Sequence, residues 1–127
     1  MLSNHDPVAT LAVKDMDVAR RFYEGILGFT PGGEVPDGVL YTAGSGSFLV
    51  YPSSFAGSNK ATALSFQVPP DAFDAEVSAL RGKDVTFQTF EAEGLTWEDG
   101  VASFGDQYRA VWFADPDGNI LNIDTTS

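Results

Sequence analysis

Along residues 8–29, "VATLAVKDMDVARRFYEGILGF", the spacing of apolar side chains changes once. Ala9, Leu11 and Val13 alternate with Val8, Thr10 and Ala12, the period of a strand. Beyond Asp17 the apolar positions are Val18, Ala19, Phe22, Tyr23, Ile26 and Leu27. That is helical spacing, with Asp17 as the expected N-cap and Gly28 as the stop. The succession returns over 63–87, "ALSFQVPPDAFDAEVSALRGKDVTF". Leu64, Phe66 and Val68 alternate with Ala63, Ser65 and Gln67 before a helix capped near Asp71 and stopped by Gly82. Each helix leads into strand-like segments: "GVLYTAG" and "SFLVYP" in the first half, "DVTFQTF", "YRAVWFA" and "NILNI" in the second.

The halves rhyme at an offset of 55 residues, Val8 matching Ala63. Placing "GSGSFLVY" over "PDGNILNI" aligns Gly46 with Gly118 and widens the offset to 72. The second half therefore carries about 17 extra residues, within "TFEAEGLTWEDGVASFGDQ". The predicted fold is a single α+β domain over 1–127, made of two βαβββ modules, about 7–54 and about 61–125. A helix covers one face of each module's sheet, so the open faces would form one cupped mixed sheet around a cavity.

Composition narrows the function. At 127 residues with 43% hydrophobic content, the chain can bury a real core. No apolar run reaches membrane-spanning length, and the N-terminus resembles no signal peptide, so the expectation is a cytoplasmic protein. Without cysteine, disulfides, thiolate metal sites and cysteine nucleophiles are excluded. The net charge of −11 and the lack of a basic stripe argue against nucleic acid. The acidic excess either keeps the surface solvated or attracts a cationic small molecule.

Three segments together, "LAVKDMDVARRFYEGILGF", "LSFQVPP" with its helix and "VWFADPDGNILNI", resemble the vicinal oxygen chelate superfamily, the glyoxalase, bleomycin-resistance and extradiol-dioxygenase group. The resemblance spans nearly the whole chain and implies paired βαβββ modules and a homodimer. Metal-dependent members carry His or Glu near the start of each module and on each final strand. By that resemblance the four positions fall here on Val8, Ala63, Val50 (or Tyr51, one residue on) and Asn122. None is a usual transition-metal ligand, so no metal and no other cofactor is expected.

Other chemistry is sparse. His5, the sole histidine, precedes the first strand; Asp6 could share the face of Val8; "GSGS" at 44–47 opens a strand and reads as a turn. No nucleophile elbow, phosphate loop or dinucleotide fingerprint occurs. The insertion 91–106 holds five acidic residues with Trp97 and Phe104, and reads either as a lid presenting Glu98 and Asp99 to a ligand or as a contact surface. The expected ligand-binding set is Val8, Thr10, Tyr41, Val50, Ala63, Ser65, Trp97, Phe104, Trp112 and Asn122. Two functions follow. One is a metal-independent binding protein that sequesters or carries an aromatic small molecule, either neutral or cationic. The other is a lyase, isomerase or dioxygenase with a displaced metal site or none.

Overall fold

The computed structural model describes the chain except residues 37, 106, 107, 126 and 127, and except the side chains of Leu2 and Glu34. It divides into two compact units, Met1–Asn59 and Lys60–Ser127. The fold is α+β, with one mixed sheet of four strands and one of five.

In the first unit a 3-10 turn, Leu2–Asn4, precedes β1 (Ala9–Val13), α1 (Met16–Arg20), β2 (Pro31–Val35), β3 (Gly38–Ala43) and β4 (Gly46–Pro52). The sheet order is β1-β4-β3-β2, with β1 parallel to β4 and the other pairs antiparallel. The helix N-cap is Asp15, two residues before the expected Asp17; its carboxylate accepts from the Asp17 and Val18 amides at 2.8 and 3.2 Å. After Arg20 the helix widens into a π-helical segment, Arg21–Ile26, and reverses at Gly28 (φ +80°). Ala19, Phe22 and Tyr23 form its buried stripe.

Tyr23 is fully enclosed, its ring 5.7 Å from those of both Tyr41 and Phe48. The strand register then assigns the faces. Leu11 pairs with Val50, Val50 with Val39, and Phe48 with Tyr41, so all five lie on the helix side. Thr10, Leu49 and Leu40 form the row between them, on the open side.

The second unit comprises β5 (Thr62–Val68), α2 (Phe73–Arg81), β6 (Thr96–Glu98), β7 (Val101–Phe104), β8 (Tyr108–Ala114) and β9 (Ile120–Thr125). Its order, β5-β9-β8-β7-β6, repeats that of the first unit with one strand added at the edge. β5 and β9 are parallel. The helix buries Phe73, Val77 and Leu80. The Arg109 guanidinium lies 4.6 Å from the Phe73 ring centroid and pairs with Asp74 at 2.7 Å, so Arg109, Val111 and Phe113 mark the helix side of β8.

Two expectations about this unit are corrected. "DVTFQTF" is not a strand; it touches the sheet through one bridge, the Gln88 amide donating to the Trp112 carbonyl at 2.8 Å. The insertion 91–106, as far as residue 105, is no free lid: it supplies β6 and β7, joined by Asp99 and Gly100, both with positive φ (53° and 80°). Such a two-residue turn matches the twist of the strands it joins. Among the described residues, no helix is long and apolar enough to cross a membrane.

Candidate functional site

The open face of the second sheet follows from its register. Ser65 lies beside Asn122, Asn122 opposite Trp112, Ala102 opposite Ala110, and Trp97 opposite Ala102. Ala102 and Ala110, both fully buried, form one rung of this face, where large side chains would crowd the indoles. Phe90 folds over the indoles from the segment after α2. Its ring centroid stands 4.8 Å from Trp112 and 5.2 Å from Trp97, edge-on to both, and the indoles are 5.9 Å apart. Beside Trp112 opens a cavity of about 340 Å³, lined by Lys60, Thr62, Gln88, Phe90, Trp112 and Ile120 among others.

Asn122 is only 3% exposed, and its amide nitrogen donates to the Val111 carbonyl at 3.1 Å and the Ile123 carbonyl at 3.5 Å. The side chain is thereby held, with its oxygen left for the open face. Two residues on, Asp124 has one carboxylate oxygen accepting from the Tyr108 hydroxyl at 3.2 Å, while its other oxygen is shut off from solvent and has no hydrogen-bond partner. Burial first, then the Asp124 charge and the hydrogen bond to it, raise the Tyr108 pKa above the ordinary phenol value.

The turn between β8 and β9 holds itself rigid. The Asp115 carboxylate accepts from the Asp117 and Asn119 amides and from the Asn119 side chain, at 2.8–2.9 Å. This Asx-type network sets where β9 begins, and so sets the face on which Asn122 emerges.

Five expected residues, Ser65, Trp97, Phe104, Trp112 and Asn122, share this open face, whereas Ala63 falls at a register shift between Thr62 and Leu64, where alternation does not assign a face. Phe104 is 58% exposed near the outer edge. Val8 and Thr10 lie on the first unit, Thr10 on the open side of its sheet and Val8 exposed before β1. Tyr41 and Val50 are corrected: both are fully buried on the helix side. The Tyr41 hydroxyl donates to Glu24 at 2.8 Å, and the same Glu24 oxygen receives Arg20 Nε at 2.8 Å. The Arg20 hydrogen bond holds the Glu24 carboxyl below its ordinary pKa, against a smaller opposing effect of burial.

The error at Val50 has a physical origin. The β3–β4 turn has two residues between Ala43 and Gly46, whereas five separate Ala114 from Ile120. Aligning the two turn glycines therefore slips the strands, and one residue of slip exchanges the faces. With Thr10 matched to Ser65, the counterpart of Asn122 is Leu49. Tyr51, one residue beyond Val50, lies on the open side opposite Ala12.

Glu98 is also displaced from its expected role. Alternation along β6 sends it to the face opposite Trp97, where it lines a separate groove with Ser103 and Arg109. Asp99 pairs with Arg81 at 3.2 Å. Neither acid accompanies the indole.

The whole architecture matches known proteins. The family model for the glyoxalase/bleomycin resistance protein/dioxygenase superfamily matches residues 6–123, and the chain belongs to that superfamily. Lactoylglutathione lyase from Agrobacterium tumefaciens superposes with a TM-score of 0.71 at 15% identity, over 95% of this chain and 92% of that one. The fosfomycin resistance protein FosX from Listeria monocytogenes gives 0.69 at 14%, over 97% and 93%. A glyoxalase/bleomycin resistance protein/dioxygenase from Alicyclobacillus acidocaldarius gives 0.70 at 17%, over 94% and 91%. At such identities the likeness is one of fold. A comparison with curated protein sequences gives no match.

The metal that the superfamily's metal-dependent members hold does not fit the residues present. Ala63 has no donor, and Asn122 offers only a neutral amide oxygen, a poor ligand for a transition metal. Among the described residues, no three His, Asp or Glu side chains cluster in a way that could hold a metal ion. What this face offers instead is aromatic surface, an oriented amide and one half-satisfied carboxylate.

Proposed function

We propose that the chain is a small-molecule binding protein of the bleomycin-resistance-like branch, which as a homodimer sequesters or carries an aromatic ligand without a transition metal. The observation that carries this reading is the Phe90–Trp97–Trp112 cluster beside a cavity of about 340 Å³, on the face where Asn122 emerges. Ligand sites are largely apolar hollows with a few placed polar groups, and aromatic rings add stacking to burial. Asn122 supplies orientation, because its nitrogen is held and its oxygen is not.

The enzymatic alternative is less supported, since Glu98 and Asp99, its acid–base candidates, lie away from Trp97. The test is native mass spectrometry of the purified chain, followed by titration of small aromatic compounds against tryptophan fluorescence. A metal-free dimer that binds an aromatic compound, with the affinity lost in Trp112→Leu, is expected. One metal ion per subunit, or aromatic binding indifferent to Trp112, would overturn the reading.

A further inference from the structure

We propose that Asp124, held by Tyr108, receives a primary ammonium group, so that the ligand taken by this face is an arylalkylamine. The proposal rests on the aromatic-binding reading above and adds the charge and reach of the ligand.

Asp124 shares the open face with Asn122, since Ala110 and Trp112 stand opposite them in the same ladder. One oxygen is occupied by the Tyr108 hydroxyl at 3.2 Å. The other, out of contact with solvent, meets no donor from the protein. A carboxylate oxygen in that state calls for a donor from outside the chain. The Asp χ2 torsion is soft, so a turn of the carboxylate, which gives up the 3.2 Å contact with the Tyr108 hydroxyl, presents this oxygen to the face without disturbing β9.

The geometry selects the donor. An ammonium brings three N–H groups and a full charge on a small head, and charge-assisted bonds are the stronger kind. Asp124 is two residues from the Trp112–Asn122 rung, a rise of about 7 Å along the strand. A ring stacked at Trp112 therefore reaches Asp124 through a chain of two or three carbons. At the other end, the cavity beside Trp112 includes Lys60 in its lining, which repels an ammonium and favours this orientation. The net charge of −11 attracts such a cation from a distance.

The experiment is calorimetric titration with 3-phenylpropylamine, 3-phenylpropan-1-ol and 3-phenylpropanoate, which differ only in the end group. For the wild-type chain the amine should bind at least tenfold more tightly than the alcohol, and the acid most weakly. The order should persist at high salt, where long-range attraction is screened. Asp124→Asn should remove the amine's advantage while the alcohol's affinity stays within twofold. Equal binding of amine and alcohol, or an amine affinity unchanged in Asp124→Asn, overturns the ammonium assignment. The aromatic reading then still stands, provided the alcohol binds and Trp112→Leu abolishes it. Failure of all three compounds to bind removes both readings. Should Asp124→Asn not fold, the wild-type ranking at high salt decides.

Discussion

Asn122 stands directly opposite Trp112 across the β8–β9 ladder, and its amide reaches back to the carbonyl of Val111, the residue before that tryptophan. The slot thus couples an oriented amide to an aromatic wall. It also explains why an amide suits the position, since the polar atoms nearest the side-chain nitrogen are two carbonyl oxygens.

A carboxylate in this slot would turn an acceptor toward two acceptors. Asn122→Asp should therefore cost roughly 2–4 kcal/mol, because a buried charge would be left without a donor. Asn122→Leu, which removes the polarity, should cost about 1–2 kcal/mol for the abandoned Val111 carbonyl. Urea unfolding checks the ranking, and an Asp variant more stable than the Leu variant would contradict the geometry.

Tyr41, expected at a ligand, instead secures the helix of the first unit through Glu24. Tyr41→Phe keeps the ring packing and loses one hydrogen bond to a charged group, a cost of about 1.5–3 kcal/mol. Because Glu24 is held below its ordinary pKa of 4.5, its contribution is complete above that value and lost as pH falls through the folded-state pKa. Tyr41→Phe should weaken that depression. Acid unfolding curves of the two proteins should accordingly converge as pH drops below 4.5, while a constant gap would contradict this linkage.

The indoles of Trp97 and Trp112, 5.9 Å apart and inclined at 53°, are close enough to couple electronically. Circular dichroism should contain a paired positive and negative band from the two rings, removed equally by Trp97→Phe and Trp112→Phe. Signals that simply subtract, one tryptophan at a time, would mean that the hairpin does not bring the rings together.

How much of this was legible depended on which physical rule governed each residue. Hydrophobic period alone carried β1, β5 and both helices, and the superfamily's motifs located Asn122 on the open face. Parity along β4 was not legible, because it depends on the length of the preceding turn, which two glycines disguised. The β6–β7 hairpin did have a signal, Asp99-Gly100 between "TWE" and "VASF", obscured by the acidic composition around it. Asp124 was legible in principle at one further period of two from Asn122. Its unpaired oxygen was not, since that depends on three-dimensional enclosure. Phe90 approaches the indoles from outside the sheet, and no local period encodes that.

Gly100 has φ +80°, and an added Cβ would meet the Phe87 Cβ at 3.3 Å, so Gly100→Ala faces both backbone strain and a tight contact. The left-handed region alone costs a side-chain-bearing residue about 1–2 kcal/mol. Asp99 already bears a positive φ, where a short polar side chain is tolerated, so the turn has no second place to relieve the strain. The loss should appear locally as well as globally. β6 is a three-residue edge strand paired with β7, and its release would free Trp97 from Phe90 and Trp112. Hydrogen exchange should therefore accelerate at 96–103 in Gly100→Ala while β5 and β9 keep their protection, and affinity for an aromatic ligand should fall with it. Acceleration spread evenly over the second sheet would mean that the hairpin and the central strands open as one unit.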